Sequence, residues 1–492
     1  MRPDIIRTYK AVHTWTGITT GLLLFIAFYA GALTMFKAPL LRWAEPPMLA
    51  ATATVAPSPD EIVARTLAAR PEVAKDFTLH LEHPVRVTWR KDRRDVSPFV
   101  STPAADGAPV IRQDRSSGLD WFIDFLHRTA GLPLELETGT MVTGLAAALY
   151  AVALVSGLII VLPSLVKDLF ALRLGTNLKR MWLDAHNLVG LVSLPFHLVM
   201  AVTAVVFGWH DLFYDTLDAT VYQGRMAAVM RISNPPPPFA GDTTPARTMT
   251  VDEILARTAA VAPGLHPTAL EYRAFGTRAA SVRVVGHDPR HLVRGHGYLS
   301  LGAVDGSVFN SEYLPGRQGA WSAVVSSFFA LHFGTFGGET VRWGYFLLGL
   351  AGAFLFYSGN LLWIESRRRP RRGRAEAPAQ SRSTRVMAAL TVGICLGCVA
   401  GLSAAIVANR WLQGVFIDVN DWTRGVYYLV FTIAVAIALR RGAAVAAPPL
   451  LWAAAACTLA LPLTSLLLWR SAVPGIDLVA LCGAAGIAGV AR

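Results

Sequence analysis

Residues 184–190 read Asp184-Ala185-His186-Asn187-Leu188-Val189-Gly190, and an unbroken apolar run follows at once. The N-terminus carries the same arrangement in "VHTWTG", with His13 and Gly17 ahead of another apolar run. A neutral imidazole can ligate a metal or move a proton near pH 7, and a glycine one turn away leaves open space beside it. Two more histidines stand in paired contexts: His127 in "FLHRTAGLPLELETG" and His332 in "ALHFGTFGGETVRWG", each introducing a further apolar run. One interfacial histidine is usually packing. Four in matched contexts call for a shared chemistry.

The elements that must hold these histidines are set by composition. The chain has 492 residues, of which 53% are hydrophobic and only 16% charged, and its mean hydropathy is +0.43. Apolar runs near 14–36, 141–163, 187–209 and 343–364 are long enough to span a bilayer, since about 20 helical residues cross a hydrocarbon core of ~30 Å. Further runs lie near 386–408, 425–439, 450–469 and, more weakly, 476–490. This is the pattern of a polytopic α-helical membrane protein.

Lysine and arginine in short flanking segments set the expected orientation. Arg2, Arg7 and Lys10 precede the first run, Lys167, Arg173, Lys179 and Arg180 lie in the loop 164–185, and "ESRRRPRRGRAEAPAQSRSTR" follows the fourth. All belong on the cytoplasmic side, so the net charge of +12 is a topology signal and nucleic acid is not an expected partner. The first run is too long for a signal-peptide core and is read as a retained span.

The expected organisation is then residues 1–37 as the first span with a cytoplasmic N-terminus, 38–140 as a first outer segment, and 141–209 as two spans with their loop. A second outer segment covers 210–340, the fourth span 341–365, a basic linker 366–385, and a C-terminal module of about four further helices 386–492. The four cysteines, Cys395, Cys398, Cys457 and Cys482, all fall in that module, so the outer segments carry no disulfide framework. The CxxC spacing of Cys395 and Cys398 reads as two small residues facing a neighbouring helix.

The chain also repeats itself. "PDEIVARTLAA" at 59–69 matches "VDEILARTAAV" at 251–261, each after a span opened by His-x-x-x-Gly. Each repeat continues to a Leu-His element and then to a span with Ser156-Gly157 or Ser358-Gly359 at similar depth. The order of features is shared, so the residues before about 366 read as a duplicated pair of units. The outer segments read as small α+β domains, a DEIxART helix followed by strand-like pieces such as "VRVTWRKD" and "SVRVVGHD".

Pseudo-symmetry of two repeats sets His13 against His186 near one membrane face and His127 against His332 near the other. An opposed pair of neutral imidazoles supplies both axial ligands of a haem iron. No CxxCH occurs, so the haem is expected to be b-type. Structural zinc is disfavoured because it wants four converging ligands. His197, in "LPFH", lies 11 residues after His186, ~16 Å deeper along the helix, where an ionisable side chain suggests function. Its counterpart in the first repeat is Leu24, so it serves as a candidate ligand of a third haem, a substitute ligand, or a hydrogen-bonding group beside Pro195. His80, His83, His210, His266, His287, His291 and His296 read mostly as solvated.

These residues carry a resemblance. "HTWTG", "LHR", "DAHNLVGLVSLPFH" and "LHFGTFGG", with DEIxART segments between them, resemble the PepSY-associated transmembrane-helix family over roughly residues 5–368. That family contains bacterial iron-regulated inner-membrane proteins, some of them haem-containing ferric-siderophore reductases. The resemblance implies a duplicated four-helix haem-binding bundle with two PepSY-like periplasmic domains, in the bacterial inner membrane. It implies His13, His186, His127 and His332 as axial ligands of two b-type haems, with His197 open for a third. It departs from the family in the third span, where "VTAVVFGW" replaces the usual threonine-glycine pair.

The function so implied is electron transfer to a periplasmic ferric siderophore, releasing ferrous iron. No G-x-G-x-x-G fingerprint is present, so the electron donor is a separate molecule. Iron-uptake proteins are the expected partners besides the bilayer, with Arg128 and Arg342 as partners for haem propionates. Trp121, Phe122, Phe329 and Phe336 are candidates for a docking surface. The rival readings are a siderophore or metal transporter and a haem-free peptide-binding regulator. Neither needs redox-active haem.

Overall fold

The computed structural model describes residues 3–44, 57–82, 85–91, 98–104, 107–113, 117–166, 177–233, 235–291, 296–367, 380–413, 415–416, 419–469 and 474–491. Most of the basic linker 366–385, with Arg2, Lys167, Arg173 and His83, lies outside them. The chain forms two compact units, one from residues 1–46, 117–210 and 342–492, the other from 47–116 and 211–341.

In the first unit, apolar sequence becomes helix because a backbone in lipid must satisfy its polar groups internally. Seven helices among the described residues are long and apolar enough to cross a membrane: Asp4–Thr34, Leu136–Ser164, Leu194–Tyr222, Gly338–Ser366, Arg382–Leu412, Val419–Arg441 and Ala443–Leu468. The protein is therefore a multi-pass membrane protein. The weakest run forms only the shorter helix Gly475–Ala491, so the C-terminal module has three long spans and one short helix. The third span is broken at its start. Helix Leu178–Val192 ends at Ser193, whose backbone (φ −92°, ψ 5°) leaves the helical region, and Leu194–Leu217 resumes beyond it. Pro195, which offers no N–H, follows at once.

The first span packs on the second and on the amphipathic helix Leu119–Thr129. Leu24, Ala146, Tyr150 and Ala201 form one buried cluster with Phe28 and Phe356 packed on it. The C-terminal module closes on this assembly. Cys395 and Cys398 are buried free thiols against Phe25, Ile26 and Ala353, in keeping with their reading as small packing residues. Leu402, Ile406, Tyr427 and Leu461 pack with Phe122, Ile123 and Leu126 of the amphipathic helix. Polar bonds fasten the same face: Trp43 Nε1 donates to Ser465 Oγ (2.8 Å), and Asn409 Nδ2 to the Ser117 carbonyl (2.9 Å).

The second unit holds an antiparallel sheet of eight strands: β1 Asp76–His80, β2 Arg86–Trp89, β3 Phe99–Pro103, β4 Pro109–Gln113, β5 His266–Arg273, β6 Ser281–His287, β7 Gly297–Gly302 and β8 Val308–Asn310. The order is β4-β3-β2-β1-β5-β6-β7-β8, each repeat giving one half. The expectation of two separate α+β domains is thus corrected to one shared sheet. β1 and β5 pair in register from Asp76↔Arg273 to His80↔Ala269, so neither leaves an unpaired edge.

Helices Pro59–Ala69 and Val251–Val261 contribute Ile62, Val63 and Ile254 to the core of this unit, against Phe77, Leu79, Leu270, Tyr272, Val284 and Leu299. The repeated motif is structural throughout. Glu253 completes a capping box with Thr250, and the Asp60 carboxylate accepts from the Val251 amide (3.0 Å). Arg257 Nε donates to the Gly306 carbonyl in the β7–β8 turn (3.0 Å), and Arg65 occupies the matching place against Gly107 in the β3–β4 turn. Thr66 and Thr258 are buried and bond back to the carbonyls of Ile62 and Ile254.

Candidate functional site

His13 projects from the first span and His186 from the helix before Ser193, and the two rings meet with centroids 6.4 Å apart at an interplanar angle of 76°. Two imidazoles sharing one metal place their centres at about that distance: two metal–nitrogen bonds of ~2.0 Å plus ~1.1 Å from each nitrogen to its ring centre. The outer nitrogens are already committed. His13 Nδ1 lies 2.8 Å from the Ala153 carbonyl, which can only accept, so Nδ1 carries the proton. His186 Nδ1 lies 2.9 Å from Ser358 Oγ, whose own hydrogen is given to the Leu355 carbonyl. Both rings are thus held as the tautomer whose Nε2 lone pair is available to a metal, the usual support for a metal-ligating histidine.

Each ring rests on a glycine. A Cβ on Gly157 would come within 3.0 Å of His13 Cε1, and one on Gly359 within 3.5 Å of His186 Cε1. The paired Ser-Gly elements of the second and fourth spans are therefore the seats of this histidine pair. A Cβ on Gly17, one turn past His13, would meet nothing within 4 Å, so the space beside that turn is open. The donor set and its surroundings fit a haem.

His127 repeats the arrangement in the last turn of Leu119–Thr129. Its Nδ1 donates to the Ala27 carbonyl at 2.8 Å, and a Cβ on Gly31 would fall 2.7 Å from that nitrogen. Burial holds its pKa below the ordinary histidine value, which keeps the ring neutral and able to ligate. Lys37 pairs with Asp124 one turn before it (2.7 Å). His332 belongs to the other unit, in the last turn of helix Ala320–Phe333, with its ring 5.7 Å from that of Phe333.

His197 differs from all of these. It is 0% exposed, and neither ring nitrogen has a hydrogen-bond partner among the described residues. Such a group costs about 1–3 kcal/mol for each polar atom left unpaired. It lacks the Nδ1 acceptor that His13, His127 and His186 each possess. Aromatic rings enclose it instead: Phe28 at 5.7 Å, Tyr150 at 6.0 Å and Phe196 at 5.5 Å.

Among the candidate docking residues, Phe122 is only 3% exposed and packs on Tyr427, so it belongs to the core. Trp121, 49% exposed, remains available. Arg128 is partly exposed, its guanidinium 3.9 Å from Asp124. His80, expected to be solvated, is half-buried and bonded to Thr88 Oγ1 (2.9 Å). The sequence reading missed Gly31 and the Ala27 and Ala153 carbonyls, which carry no distinguishing residue type.

The seven long apolar helices among the described residues define a polytopic membrane protein. The model of the PepSY-associated TM region matches residues 11–366, most of the chain, and the protein belongs to that family. An uncharacterised protein of Pseudomonas aeruginosa is 26% identical over 257 residues, 49% of this chain and 61% of the relative. The match thus spans less than two thirds of that relative's length.

Proposed function

We propose that the protein is a b-type haem oxidoreductase of the bacterial inner membrane that passes electrons to a periplasmic ferric siderophore and so releases ferrous iron. The observation that carries this reading is the His13–His186 pair: rings 6.4 Å apart, both Nδ1 atoms held by acceptors of the second or fourth span. His127, with its Nδ1 fixed in the same way, would serve a second haem. When bound, haem supplies one-electron transfer between the ferric and ferrous states.

The chain's own part is to fix the ligand tautomers, seat the rings on glycine and keep water from the sites. Placing the N-terminus in the cytoplasm follows from the basic flanks of the spans and puts the sheet unit in the periplasm. The transporter reading is less favoured because the spans lack paired intramembrane acidic residues.

The test is a sealed proteoliposome carrying the full chain, with dithionite inside and a ferric siderophore plus a ferrous-specific chelator outside. Formation of the ferrous complex at a rate well above protein-free vesicles is expected. No rate above that background would overturn the proposal.

A further inference from the structure

We propose that His197 and Tyr150 bind the headgroup of a lipid-soluble quinol, which makes the quinol pool the electron donor. This deepens the reductase reading and rests on it for the direction of electron flow. Three polar atoms carry the inference: both ring nitrogens of His197 and the Tyr150 hydroxyl are buried without a hydrogen-bond partner among the described residues. They sit on spans that face each other, their rings 6.0 Å apart and perpendicular. Nothing in the packing requires a histidine here, since the matching residue of the other repeat is the buried Leu24. A second iron-ligand seat is also a poor fit, because no acceptor fixes Nδ1.

The location selects the ligand. His197 lies within a span, so its partner must arrive through lipid rather than water. The third span breaks at Ser193, four residues before it, and broken spans mark ligand sites in bilayers. Leu198, its neighbour in sequence, is 43% exposed on the outside of that span, and the half-buried Phe196 ring, on the other side of His197 in sequence, lies 5.5 Å from the imidazole. The enclosure by Phe28, Phe196 and Phe356 suits a planar ring. A planar ring with polar oxygens and an apolar tail is a quinol.

The chemistry balances. A quinol loses two electrons and two protons, breaking both phenolic O–H bonds and leaving the quinone. The oxidant would by class be ferric haem, a one-electron acceptor, which His13 and His186 would hold. The lone-pair nitrogen of neutral His197 takes the proton of the one phenolic O–H that it faces, and the second phenolic proton, and in turn the one on His197, pass to bulk water before the next turnover. The Tyr150 O–H donates to the ring oxygen of the bound molecule throughout.

The experiment uses the full-length protein in lipid nanodiscs. Equilibrium dialysis measures binding of ubiquinone-1 and of menadione, and stopped-flow absorbance follows haem reduction by ubiquinol-1 and by menadiol. The wild type should bind at least one quinone at one per chain and be reduced by the corresponding quinol. His197→Leu and Tyr150→Phe should each weaken binding and slow that reduction at least 10-fold, with unchanged haem content and an unchanged dithionite-reduced spectrum. A wild type that binds neither quinone, or variants that match it in both assays, would overturn the site. A colourless protein that still binds quinone through His197 would uphold the site and sink the reductase.

Discussion

The two repeats solve one problem with different atoms. His13 donates its Nδ1 hydrogen to a backbone carbonyl, Ala153, and lies against Gly157 at a spacing where an added methyl group would make the ring give by a few tenths of an ångström. His186 gives its proton to a side-chain hydroxyl, Ser358, and lies against Gly359 at ordinary van der Waals distance. Although both spans read Ser-Gly, the first seat depends on its glycine and the second on its serine. The two repeats thus hold their histidines in the same tautomer through supporting contacts that differ.

This comparison can be broken by substitution. The largest effect falls on the glycines: Gly157→Ala obliges the His13 ring to give by a few tenths of an ångström and is expected to weaken retention of one haem in the purified protein. Gly359→Ala should leave haem content nearly intact. Equal losses in both variants, measured by pyridine haemochrome, would refute the asymmetry. Next comes the serine pair. Ser358→Ala should weaken haem retention about 10-fold, the low end of the range for a lost supporting contact, because the Leu355 carbonyl remains close to His186. Ser156→Ala should have no such effect, since Ser156 bonds only to the carbonyls of its own helix.

Much of this was legible in the sequence, for reasons the residues make plain. The spans declare themselves because lipid tolerates only long apolar helices, and the duplicated His, DEIxART and Ser-Gly elements recur in order. The seats were not legible, because Gly31 and the Ala153 carbonyl acquire their role only when another helix delivers an imidazole to them. The single sheet was hidden for a similar reason. Pairing of β1 with β5 joins residues nearly two hundred positions apart, and neither strand's pattern names its partner. Nor did the sequence foretell that the C-terminal module, through Tyr427 and Asn409, clamps the helix that carries His127.

The sheet unit holds a histidine of a different kind. His80 sits half-buried in β1, where burial and the neighbouring Arg86 push its pKa down to about 4. A histidine depressed from about 6.5 stabilises the fold above that pH, and this contribution is lost as the pH falls toward 4. The loss should be small, on the order of 1 kcal/mol after allowance for solvent screening. His80→Gln should therefore flatten the acid dependence of sheet-unit unfolding, followed by tryptophan fluorescence between pH 7 and 4, without touching haem content.

The central claim is that His13 and His186 hold one iron between them. The most direct measurement is the haem count and reduced-minus-oxidised visible spectrum of the full-length protein beside its His13→Ala and His186→Ala variants. The account predicts two b-type haems per chain in the wild type and the same single haem missing from both variants, with the other spectrum unchanged. Haem retained in full by either variant, or a wild type without haem after expression in haem-replete cells, would contradict it.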